Sequence, residues 1–244
     1  MDVVLHATAR GDDTIAPVPI FAAARPRDAC RAPSASTLKF PTEAIAEPVA
    51  PAANALAELR LATRDRHARI DRLMNLRRMR DRGHYGRVLL AFDSFLAPWE
   101  QSVASALPAR WQGWLHQRSR RPFLRKDLAA LSLSPRPAAP LAMPRLAGNS
   151  AAWGSLYVME GSALGGQVIT RALAPAGLLP DQGASYFHGW GADTTAMWQD
   201  FLLQLQAEVA TSAAVESACA AACETFDALT AHLHEFLDER IALA

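Results

Sequence analysis

From Ala55 onward the apolar residues recur at three-to-four spacing, and no alternating run of β-branched residues bounded by hairpin dipeptides interrupts them. A chain patterned this way folds as packed helices. Leu56, Leu59, Ile70, Leu73 and Met74 mark a first core helix, with neither Gly nor Pro before Gly83. Residues 85–107 carry Val88, Leu89, Phe92, Phe95 and Leu96 before Pro98, which is expected to kink or break that second helix. Residues 111–131 form a third, interrupted at Pro122. After a proline-rich connector over 135–144, Asn149 or Ser150 is expected to cap a long helix reaching about Leu173. A loop over 175–191 and two helices, 194–211 and 213–242, complete an all-α bundle of six or so helices.

Residues 1–50 differ in character: they are rich in Ala and Pro and lack a sustained apolar period, so a disordered or loosely docked tail is expected ahead of a helical domain over 51–244. No apolar run approaches the roughly 20 residues of a membrane helix, and the N-terminus lacks the basic-then-apolar order of a signal peptide. A cytoplasmic protein with no membrane contact is expected. The formal charge of +1 gives no global attraction to nucleic acid, and no nucleic-acid-binding motif accompanies the local basic runs. Cys219 and Cys223, four apart on one helix, read as small buried thiols; no CxxC pair or zinc spacing exists.

The most informative stretch is residues 153–169, where Gly161, Gly165 and Gly166 fall inside an otherwise helical pattern. Each costs about 1 kcal/mol relative to Ala, so together they weaken the helix by roughly 2–3 kcal/mol. Tyr157, Gly161 and Gly165 share one face, bare of side chains between the glycines, where a flat group can approach the backbone. The competing reading is a helix crossing through small residues. On the first helix Arg60, Arg64 and His67 stand at i, i+4 and i+7. A neutral imidazole there suits an axial iron ligand, and an arginine on the same face can reach a carboxylate at a macrocycle's edge.

Together the segments ending Thr-Arg-Asp-Arg-His67 and running Tyr157-Val-Met-Glu-Gly-Ser-Ala-Leu-Gly-Gly-Gln-Val-Ile169 resemble the heme oxygenase family, over most of residues 55–210. The likeness is greatest to the bacterial members associated with bacteriophytochromes, as the runs 186–191 and Met197-Trp198 also suggest. The resemblance implies an all-α bundle with heme between a proximal and a glycine-rich distal helix. It makes His67 the proximal iron ligand, with Gly161, Ser162 and Gly165 on the distal side. Arg60 and Tyr157 become propionate contacts, with Arg64 and Gly166 further heme-binding candidates. In that family heme is substrate and cofactor at once: O2 and electrons from an external reductant open the ring, releasing biliverdin, iron and CO. The implied partners are a ferredoxin or flavoprotein donor and a bacteriophytochrome that accepts biliverdin.

Two departures stand out. Many members carry an aspartate where this chain has Ser162, which can hold water but supplies no carboxylate. Residues 194–211 contain no Lys or Arg for propionates. Ten arginines between Arg60 and Arg87 make a basic region, read either as a solvated face or as a dock for an acidic electron donor. A heme carrier or sensor needs most of the same residues and stays open as an alternative. A di-iron site is disfavoured, because Glu160 has Ala163 where a Glu-x-x-His unit needs histidine. His232, His234, Glu235 and Glu239 read as solvent-facing polarity.

Overall fold

The computed structural model describes residues 54–135 and 143–238. The tail expected over 1–50, the middle of the connector and Glu239 lie outside the described residues. Among those described, eight α-helices occur and no β-strand. Helix α1 (Ala55–Met74) starts where the Asn54 side chain accepts from the Ala57 amide at 3.2 Å. It stops at Asn75, whose φ of 49° suits an asparagine at a helix C-terminus, so the helix ends before Gly83 is reached. Asp81 then accepts from the His84 amide at 2.6 Å and opens α2 (Arg82–Ala106).

Of the kink or break expected at Pro98 the break does not occur, and α2 runs through it. The missing donor costs one ladder bond, and Phe95, Leu96 and Trp99, all buried, hold both sides of it in the core. The third expected helix is two: α3 (Gln112–Gln117) and α4 (Arg121–Ala130), with Pro122 in the first turn of α4, where its absent N–H has no partner to lose.

Helix α5 (Asn149–Leu173) is the centre of the bundle, and it is capped differently from the expectation. Gly148 holds the cap position with φ 85°, while Asn149 is the first helical residue. Its side chain is used elsewhere, donating to Glu208 at 2.7 Å and accepting from the Trp153 indole at 3.2 Å. The short α6 (Ser185–His188), α7 (Thr194–Glu208) and α8 (Ser212–Leu237) follow. Trp153, fully buried, anchors an aromatic cluster with Trp111, Trp114 and Phe201 at centroid separations of 5.1, 5.2 and 5.8 Å.

Two glycines of α5 permit its closest crossings. A Cβ at Gly154 would overlap the Ala218 carbonyl of α8, and one at Gly166 would overlap the Phe187 carbonyl of α6. Backbone therefore rests on backbone at both places. The small-residue crossing exists in this helix, but at Gly154 and Gly166. A Cβ at Gly161 would meet only the Trp198 ring, at 3.9 Å.

Candidate functional site

Helices α1 and α5 face each other across a narrow cleft that α7 and α8 close at the sides. Its lining is His67 from α1, Tyr157, Val158, Gly161 and Leu164 from α5, Trp198 from α7 and Phe226 from α8. It encloses about 10 Å³, roughly the space of one water. The walls are apolar or aromatic except for the imidazole and the phenol. A flat ring fits this lining chemically and enters only where the walls part.

His67 lies edge-on to Phe226 with centroids 5.2 Å apart. Burial pushes its pKa down to about 4, so near neutral pH the imidazole is uncharged and keeps a lone pair. This is the protonation state that iron ligation requires. Tyr157 reaches across from α5 toward the Thr63 hydroxyl of α1. Burial raises its pKa, opposed by the nearby Thr63 hydroxyl and by the positive charge of Arg60. Arg60, half-buried, thus stands beside the phenol at the cleft's edge.

The candidates do not all meet here. Arg64 points into solvent, with 76% of its side chain exposed and a 3.7 Å pairing to Asp65. Its expected role at the cleft is corrected accordingly. The reason is angular: Arg60 lies about 20° from His67 around the helix, Arg64 about 60°. Gly166 is likewise corrected from a heme contact to a packing residue against Phe187, since it lies about 140° from Gly161. Gly165 is buried, one turn beyond Gly161.

Ser162 is buried and its hydroxyl is committed. It donates to the Met159 carbonyl at 2.7 Å and accepts from Arg120 at 2.5 Å, while Arg120 also donates to Met159 at 2.7 Å. Arg120 lies over the Tyr186 ring, 5.0 Å from its centroid. Beside it, Arg118 donates to Glu160 at 2.9 Å, to Asp200 at 2.8 Å and to the Met197 carbonyl at 2.6 Å. Nothing local in Gln-Arg-Ser-Arg-Arg-Pro announces buried guanidiniums, and sequence reasoning missed both. Phe226 was missed too, although the buried series Ala222, Phe226 and Thr230 of α8 follows a helical period.

In the C-terminal polar cluster His234 and Glu235 are exposed as expected, and one member is corrected. His232 is buried, not solvent-facing, and shares a 2.6 Å hydrogen bond with Ser94 of α2. Among the described residues no group of three His, Cys, Asp or Glu could hold a metal ion. Cys219 and Cys223 are half-buried; burial pushes the Cys219 thiol up to about 11. No helix among the described residues is long and apolar enough to cross a membrane.

Fold and cleft define an all-helical protein that sets a neutral imidazole opposite a bare glycine face. The family model described as heme oxygenase matches residues 53–235. The chain belongs to the heme oxygenase family. It is 34% identical over 151 residues to the heme oxygenase of Xanthomonas campestris pv. campestris (strain 8004), an alignment covering 62% of this chain and 82% of that protein. Its fold is similar to that of the heme oxygenase from Neisseria meningitidis, solved in NO- and CO-bound crystal structures. The TM-score is 0.62 at 21% identity, covering 77% of this chain and 93% of the other.

Proposed function

We propose that the chain binds heme in the α1–α5 cleft with His67 on the iron and opens the ring to biliverdin. The observation that carries this reading is the uncharged imidazole set across from Gly161 in an apolar cleft. Bound heme supplies the iron at which O2 and electrons react, and its release products are iron and CO. The protein's part is to hold and orient. His67 gives its lone pair, and Gly161 with Gly165 leaves the opposite face clear. Arg60 and Tyr157, at the edge, meet the propionates. Ser162, whose proton is given to Met159, positions Arg120 and does not itself deliver a proton.

Electrons come from an external ferredoxin or flavoprotein. Arg69, Arg72, Arg77, Arg80 and Arg82, all exposed near α1, form a surface that complements an acidic donor. The runs 186–191 and Met197-Trp198 support membership of the bacteriophytochrome-associated subgroup, with a bacteriophytochrome accepting biliverdin in the cytoplasm. Residues 51–244 form the catalytic domain and residues 1–50 an appendage to it.

The test is to reconstitute with heme and add ascorbate or a reductase in air. Loss of the Soret band with a biliverdin spectrum is the expected result. Retention of intact heme overturns the oxygenase reading and makes the protein a carrier.

A further inference from the structure

One guanidinium joins both sides of the contact that closes the glycine face. Trp198 of α7 is 5% exposed and is the nearest neighbour to the space above Gly161, with its ring atoms 3.9 Å from where a Cβ would stand. The two α7 groups that Arg118 binds are the Met197 carbonyl and the Asp200 carboxylate, which flank Trp198 in sequence. Its third bond goes to Glu160, the residue immediately before Gly161. Arg118 therefore ties the backbone next to the tryptophan to the carboxylate of the residue next to the glycine.

The clamp is itself braced. The Arg118 guanidinium lies 4.1 Å from the centroid of the Trp114 ring, and the Trp114 indole donates to Asp200 at 2.8 Å. Burial raises the Asp200 carboxyl, but bonds from Trp114, Gln204 and Arg118 outweigh it and hold the pKa below the usual range. The Arg118 side chain is only 3% exposed and that of Glu160 10%. Burying such a pair is a poor way to gain stability, because desolvation consumes most of the Coulombic gain. What a threefold guanidinium contact does supply is a fixed geometry.

We infer that Arg118 is a positioning residue that sets the height of Trp198 above Gly161, and so the room for a small molecule bound on the glycine face of the cleft. This rests on the proposed heme site. Trp198 is the wall that such a molecule meets, and Arg118 acts only through it. Without the clamp, α7 keeps its buried Phe201 and Leu205 but loses the tie that holds the indole in register with Gly161.

The experiment measures CO dissociation and the C–O stretching frequency in the ferrous heme complexes of the wild type, Arg118→Gln, Asp200→Asn, Trp198→Ala and the two double variants with Trp198→Ala. Asp200→Asn removes one arm of the clamp at a half-exposed position and serves where Arg118→Gln fails to fold. The expected result is a change in CO dissociation of about twofold or more in the clamp variants, the lower end of coupling between contacting groups, that vanishes when Trp198 is already alanine. A clamp effect that is absent, or that persists unchanged in the Trp198→Ala background, overturns the inference. His67→Ala is run alongside. If its carbonyl spectrum matches the wild type, heme is not held at His67, and the site reading fails first.

Discussion

Gly161→Ala separates a glycine kept for packing from one kept for an open face. In the folded chain an added methyl meets nothing nearer than the Trp198 ring at 3.9 Å, an ordinary van der Waals distance. Nothing has to shift. Removing a helix-interior glycine then contributes about 0.5–1 kcal/mol. For a chain of this size that is a rise in Tm of roughly 1–4 °C in the heme-free protein, measured by circular dichroism. With heme bound, the same methyl stands on the face opposite His67 and crowds whatever binds there, so biliverdin formation slows while heme affinity changes little. Gly154→Ala is the control, since its methyl overlaps the Ala218 carbonyl and forces α5 and α8 apart. Overpacking of that kind costs about 3 kcal/mol or more. A lowered Tm for Gly161→Ala with wild-type biliverdin production would refute the reasoning and return Gly161 to the class of Gly154.

Arg60→Glu should weaken heme binding by about tenfold or more through loss of a charged partner, whereas Arg64→Glu, in solvent, should stay within about twofold. Equal effects in heme titrations would mean that the two arginines act only as surface charge. His232 gives a pH dependence: burial lowers its pKa below the ordinary 6.5, only partly offset by Glu235 and a backbone hydrogen bond to Ala91. The unfolded chain then binds the extra proton as pH falls through about 6.5, so stability present above that pH is lost below it. Urea midpoints across pH 5–8 should fall less steeply toward acid in His232→Gln, and parallel curves would exclude the contribution.

Helix period alone carried the architecture, because a bundle's elements are local and each writes its own repeat. It carried the cleft in part. Arg60 and His67 nearly align on one helix face, and the glycines of α5 are visible as anomalies. What the pattern could not separate was one glycine's use from another's, since a missing side chain looks the same whether it faces a cleft or a carbonyl. The 140° between Gly161 and Gly166 does exclude a shared face and puts Gly166 on the packing side. Pro98 survives in α2 because tertiary burial of its neighbours outweighs one lost bond. The buried Arg118 and Arg120 depend on partners 39 to 82 residues away, and no local signal encodes those.

The two walls of the cleft are held very differently. Helix α5 is fixed from behind by backbone contact at Gly154 and Gly166, by the buried Ser155–Thr225 bond at 2.8 Å, and by the Arg118 clamp to α7. Moving it disturbs several buried contacts together. Helix α1 buries Leu59, Ile70 and Met74 beneath it, and near His67 its polar ties to α8 include two ion pairs at the surface, Arg66 to Asp227 at 2.9 Å and Arg69 to Asp227 at 3.9 Å, beside the half-buried Cys223 thiol donating to the Ala62 carbonyl at 3.4 Å. Exposed ion pairs of this kind contribute about 0–1 kcal/mol each. Parting the cleft for a flat ring therefore costs least when α1 moves against a stationary α5. In the proposed reading, the ligand that offsets the cost is one that offers the displaced apolar walls a large apolar surface and gives His67 a metal to bind.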